Sequence, residues 1–166
     1  MALPYKYKTL LWIAPLVLVL DQLTKFFIVK TLSIGQELPV IPGIFDIVHY
    51  RNAGAAFGML ANLDVWVRDP FFYGISAVAT LAMIIIFRHL DLADHFFPYP
   101  LSLITGGILG NFVDRVRFGN VVDFLSFHIY DWKFGSIPLE WPAFNVADSA
   151  ITVSMVLLAA HMLKEK

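Results

Sequence analysis

Apolar residues in this chain gather into long blocks instead of alternating or recurring in narrow stripes. Four blocks approach the ~20 residues that a helix rising 1.5 Å per residue needs to cross ~30 Å of hydrocarbon. They fall at about 9–29, 71–87, 97–116 and 144–163. The second is free of charge, the third is clean until Asp114, and the first carries Asp21, Gln22 and Lys25 near its far end. This pattern predicts an all-α membrane protein with four transmembrane helices, built as a single integral membrane domain over 1–166.

The connecting segments have a different texture. Residues 30–70 are broken by Pro and Gly, and "IFDIVHYR" within them mixes β-branched and aromatic residues in rough alternation, so a small β-rich segment is expected there. "NLDVWVR" puts Leu63, Trp66 and Val67 at helical spacing and predicts a short interfacial helix between the first two spans. Residues 118–143 form a second long, aromatic link. With four spans, both termini and the short link "RHLDLADHF" share one side, and the two long segments share the other. Lys6, Lys8, Arg88, Lys164 and Lys166 on the first side nearly balance Lys30, Arg51, Arg68, Arg115, Arg117 and Lys133 on the second, so the positive-inside rule does not orient the bundle. The N-terminus resembles a secretory signal, but "VLVLDQLTK" lacks a small-residue cleavage site, and the segment reads as a retained anchor.

Composition agrees with the pattern. The 166 residues are 58% hydrophobic and 15% charged, against roughly 45–50% and about 25% in soluble domains. A net charge of -1 and the absence of a basic run give no electrostatic basis for a nucleic-acid partner. With no cysteine, thiol nucleophiles, disulfides and thiolate metal sites are excluded. The five histidines form no H-x-x-x-H pair and read as interfacial residues, so no metal site is expected.

Ionisable groups in membrane-spanning helices are expensive and usually face a bundle interior or a wet site. Here the chain order brings them to one layer: Asp21 and Lys25 from the first helix, Asn52 and Gly54 from "RNAGAAF", Asn111, Asp114 and Arg115 from the third, and Asp123, Asn145 and Asp148 around the entry to the fourth. Asp21 has Lys25 at i+4 and Asp114 adjoins Arg115, so both can be structural ion pairs. Asp123 and Asp148 have no basic residue within four positions. Singly, one could be a solvated loop acid and the other a helix N-terminal charge. Together they suggest chemistry: two carboxylates ~4 Å apart at an effective dielectric of ~20 repel by about 4 kcal/mol, which keeps one protonated near neutral pH. Such a pair offers a base to a water and an acid to an amide carbonyl, and needs neither a metal nor another cofactor. Asn145 lies three residues before Asp148, and Asn111 and Arg115 are four apart, so these side chains could hold an extended peptide or serve as interhelical hydrogen bonds. "GGILG" over Gly106 to Gly110 has the small-residue spacing of close helix packing.

Five stretches, "DQLTK", "RNAGAAFG", "GNFVDR", "VVDF" and "FNVADS", together resemble the bacterial lipoprotein signal peptidases, or signal peptidase II, in order and spacing. The resemblance implies a four-helix aspartic endopeptidase of the bacterial inner membrane, with cytoplasmic termini and periplasmic long segments. It implies cleavage of diacylglyceryl-modified prolipoproteins before the lipid-bearing cysteine, with membrane phospholipid around the substrate and the cyclic peptide globomycin as inhibitor. Carried over by motif, the catalytic pair is Asp123 and Asp148, and Asp21, Asn52, Asn111, Arg115 and Asn145 support catalysis or substrate. Lys25, Gly54 and Asp114, from the matching stretches, join the supporting set. Ala53 stands where the family usually has Thr, and 126–141 match no motif. Two other readings use the same acids: a proton-coupled carrier, which would favour mid-membrane carboxylates and repeated halves, and a non-catalytic assembly protein with structural acids.

Overall fold

The computed structural model describes residues 3–54, 59–134 and 137–164, and only backbone over 129–134 and 137–140. The chain runs α1 (Tyr5–Thr31), β1 (Glu37–Ile41), β2 (Phe45–Asn52), α2 (Val65–His89), α3 (Pro98–Phe118), β3 (Val121–Phe134), β4 (Ile137–Glu140) and α4 (Val146–Lys164). Three helices, α1, α2 and α4, are long and apolar enough to cross a membrane. The fourth expected span, α3, has the length but not the apolarity, and its packing explains why. It touches each of the other three helices, and Ser102, Gly106, Gly107, Gly110 and Asp114 are buried along it. A helix surrounded by protein has no need of a lipid-compatible surface.

The glycines of "GGILG" set how closely the neighbours approach. A Cβ at Gly106 would stand 2.7 Å from Val17 Cβ and 2.8 Å from the Ala14 carbonyl oxygen of α1. One at Gly107 would stand 2.6 Å from the Ala147 carbonyl oxygen of α4. Adjacent small residues thus let α3 seat against α1 on one side and α4 on the other.

The up-and-down order predicted from the apolar blocks is visible in the end-to-end contacts. At one end, the buried Lys6 ammonium of α1 donates to the carbonyls of Arg88 (3.2 Å) and Leu90 (2.6 Å), which close α2. The Tyr5 hydroxyl donates to Tyr99 at the start of α3, and Phe96 stacks on His161 near the end of α4. The buried acids among the described residues, Asp21, Asp114 and Asp123, lie toward the opposite end.

The segments between the helices differ from expectation in two ways. Residues expected to form a separate interfacial helix are instead the first turn of α2: Val67 and Arg68 donate to the Asp64 carbonyl, and the helix continues through Pro70 to His89. Pro70 removes one backbone bond without ending the helix. The second long link is also β-structured, so the chain is not all-α. Strands pair antiparallel in the order β1-β2-β3-β4, with Asn52 opposite Val121 and Tyr50 opposite Asp123. Gly119, at φ 70°, caps α3 in the left-handed conformation and turns the chain directly into β3. His49 departs from the interfacial reading too. It is buried in β2, between the Leu32 carbonyl at 2.8 Å and the Arg51 Nε–H that donates to it at 3.0 Å.

Candidate active site

Asp123 is the third residue of β3, only five beyond the end of α3. Asp148 is the third residue of α4. Their separation is set by backbone. Phe144, just before α4, exchanges hydrogen bonds with Leu125: Leu125 N–H to Phe144 O at 2.8 Å and Phe144 N–H to Leu125 O at 3.0 Å. The strand that carries one acid therefore holds the start of the helix that carries the other.

Asn145 and Asp148 close α4 by a reciprocal cap. Asp148 N–H donates to Asn145 Oδ1 at 2.9 Å, and Asn145 N–H donates to Asp148 Oδ2 at 3.3 Å. Because the Asn145 oxygen is committed to that cap, its Nδ2 faces the other way and donates to Asp123 Oδ1 at 2.8 Å. Asn111 does the same for the second acid. Its oxygen accepts from the Lys25 ammonium at 3.0 Å and from Asn145 Nδ2 at 3.2 Å, and its Nδ2 donates to Asp148 Oδ1 at 2.8 Å. Each aspartate thus receives an amide N–H whose direction is fixed from behind.

Lys25 is the hub behind this layer. Its ammonium lies 2.8 Å from Asp21 Oδ2 and 2.8 Å from Asp114 Oδ2, with all three side chains almost fully enclosed. Asp21 also accepts the Ala147 N–H at 2.9 Å, and Asp114 accepts the Val122 N–H at 3.0 Å. Asp114 was expected to pair with the adjacent Arg115, but successive helix residues do not face each other. Arg115 instead lies over the Phe72 ring at 4.6 Å and donates to the Gly54 carbonyl at 3.2 Å, with Asp123 and Asp148 within electrostatic reach. Gln22, noted in the first apolar block but not among the candidate site residues, donates to Asp114 Oδ1 at 2.9 Å and to the Gly110 carbonyl at 3.1 Å. Its signal was a second polar residue beside Asp21 in an apolar block.

Asn52, Gly54, Asn111, Arg115, Asp123 and Asp148 all line one cleft of about 570 Å³, whose remaining wall includes Val121, Phe144, Ile151 and Val153. Asn52 closes its own loop by accepting the Gly54 N–H at 3.0 Å and hydrogen-bonds Asp123. The rest of "RNAGAAFG", from Ala55 to Gly58, lies outside the described residues. Burial, and then the negative charge of Asp148, push the Asp123 carboxyl from its ordinary 3.8 up to about 7, against the opposing pull of Asn52, Asn145 and Lys25. A carboxyl poised near neutrality beside a second carboxylate, in a cleft whose walls are mostly apolar, can share and transfer a proton.

The profile of the family described as signal peptidase (SPase) II matches residues 13–164. The chain belongs to the signal peptidase II family. It is 48% identical over 149 residues to a lipoprotein signal peptidase of Geobacter sulfurreducens, covering 90% of this chain and 88% of the relative. A lipoprotein signal peptidase of Syntrophotalea carbinolica is 47% identical over 156 residues, covering 93% and 91%. A solved bacterial membrane enzyme, determined by the in meso method at 2.3 Å resolution, superposes with a TM-score of 0.83 at 35% identity, over 99% of this chain and 93% of that one. As a member of that family the chain is an aspartic peptidase and a bacterial membrane protein. Its cleft is walled by α3, α4 and the ends of β2 and β3.

Proposed function

We propose that the chain is an endopeptidase that removes the signal peptide of diacylglyceryl-modified prolipoproteins, cutting before the lipid-bearing cysteine, with Asp123 and Asp148 as its catalytic dyad. The observation that carries this is the pair of amides, Asn145 on Asp123 and Asn111 on Asp148, which hold two acids from separate elements on one cleft. In the mechanism, the Asp148 carboxylate takes a proton from water as its oxygen attacks the scissile carbonyl carbon. Asp123, carrying the proton of the pair, hydrogen-bonds the carbonyl oxygen and stabilises the developing oxyanion. Collapse of the tetrahedral intermediate breaks the C–N bond, and the proton held by Asp148 passes to the leaving nitrogen. No metal or covalent intermediate enters.

Asp21, Lys25, Asn52, Gly54, Asn111, Asp114, Arg115 and Asn145 support this dyad, Arg115 and the Gly54 backbone standing where a peptide carbonyl would lie. In this reading α3 also spans, both termini are cytoplasmic, and the sheet is on the periplasmic side of the inner membrane. A substrate arriving laterally keeps its acyl chains among phospholipid against Ile151 and Val153 while the scissile bond meets water. Globomycin, a cyclic peptide, would occupy the same cleft. The test is cleavage of a diacylglyceryl-modified prolipoprotein by the purified protein. Asp123→Asn and Asp148→Asn should each abolish cleavage in folded protein; retention by either would remove that acid from the mechanism.

A further inference from the structure

Six threonines occur in the chain, and all six lie in helices. Five satisfy their hydroxyl within the helix, donating to the carbonyl four residues back: Thr9 to Tyr5, Thr24 to Leu20, Thr31 to Phe27, Thr80 to Ser76 and Thr105 to Leu101, at 2.7–3.1 Å. That bond is the usual resort of a hydroxyl in an apolar helix, where the alternative is a desolvated donor. Thr152 is the exception, making no hydrogen bond among the described residues. It is also exposed, and it lines the cleft.

Its position gives the hydroxyl a use. Thr152 is four residues after Asp148, so it lies on the same face of α4, about 6 Å further along the helix, away from the sheet and toward the apolar interior. In the peptidase reading above, a donor at that depth, flanked by Ile151 and Val153, would lie between the reacting amide and the hydrocarbon. On a cysteine carrying a diacylglyceryl thioether, the groups a few bonds from the scissile amide in that direction are the two ester carbonyls, which are acceptors only. We propose that Thr152 is a specificity residue whose hydroxyl donates to an ester carbonyl of the substrate's diacylglyceryl group. This rests on the peptidase reading above and adds to it the element that recognises the lipid.

The experiment compares two prolipoprotein substrates of identical peptide sequence, one bearing ester-linked acyl chains and one bearing ether-linked alkyl chains of equal length. Thr152→Val keeps the shape and removes the donor; Thr152→Ser keeps the donor and removes the methyl. A neutral hydrogen bond of this kind corresponds to roughly a threefold to tenfold loss in kcat/KM. The expected result is that loss for Thr152→Val on the ester substrate, carried by KM, with recovery in Thr152→Ser and no difference between wild type and Thr152→Val on the ether substrate. Equal losses on both substrates would assign the hydroxyl to the peptide instead and overturn the proposal. So would no loss on either, or a loss that Thr152→Ser fails to restore, which would mark a packing methyl. If the wild type cut neither substrate, the peptidase reading itself would fail, and thermal unfolding of each variant in detergent separates these outcomes from misfolding.

Discussion

Asn52 offers a direct test of how Asp123 is tuned. Its hydrogen bond favours the ionised form of a carboxyl that burial and Asp148 otherwise drive toward protonation, leaving the group at about 7. Asn52→Ala removes that bond. A hydrogen bond to a charged group contributes about 1.5–3 kcal/mol, and one pKa unit corresponds to ~1.36 kcal/mol, so the carboxyl should rise by about one to two units. No discount for solvent is warranted, because Asp123 is only 4% exposed. The sign follows from the role proposed for the acid: activity needs Asp123 protonated, so the alkaline limb of kcat/KM falls at about 7 in the wild type and moves upward in the variant. Stability shifts in the opposite sense. A carboxyl raised from 3.8 to about 7 costs folded-state stability as pH climbs between those values, and the variant continues to lose stability above 7 while the wild type does not. The assay is a pH profile of prolipoprotein cleavage in nanodiscs, paired with thermal unfolding at each pH. A limb that stays in place in an active, folded Asn52→Ala protein, or moves downward, would refute the assignment of that limb to Asp123.

Three further expectations follow from the same packing. Gly107→Ala forces a Cβ to within 2.6 Å of a backbone carbonyl in α4, which cannot rotate away, so unfolding measured in detergent should reveal a loss of about 1–3 kcal/mol. Lys25→Met leaves Asp21 and Asp114 buried together without their shared cation, at a cost of about 3–5 kcal/mol, visible as poor recovery of folded protein. Adding Asp114→Asn to Lys25→Met should recover part of that loss, whereas Arg115→Met added instead should not, because Arg115 does not pair with Asp114.

Much of this arrangement was readable from the chain because a membrane makes stray charges conspicuous. Asp123 and Asp148 stood out by lacking a basic neighbour, and the alternation of helices was enough to bring them to one face. What escaped had local reasons. The strand β3 is rich in β-branched and aromatic residues, but Asp123 itself and the polar residues after it interrupt the pattern. The start of α2 was not legible because the charge-free apolar block begins only at Phe71, while the helix begins at Val65 and runs through Arg68, Asp69 and Pro70. The partner of Asp114 could not be read from adjacency, since Lys25 comes from another helix 89 positions away in the sequence. The place of α3 in the bundle was hidden for the same reason that its apolarity is low: its surroundings are other helices, and a one-dimensional reading treats every face as lipid.

The bond from the Ala147 backbone to Asp21 joins α1 to α4, which is made 115 residues after α1 ends. Without α4, Asp21 lacks one of its buried donors, Asn111 has no Asp148 to accept its amide N–H, and the proposed dyad has only one of its two acids. With that dyad, the site is incomplete until α4 is in place. On the proposed mechanism, nascent chains passing through the same membrane, α1 itself among them, meet a catalyst that becomes competent only when α4 has been inserted. A chain ending before Phe144 should insert its first helices and cut nothing.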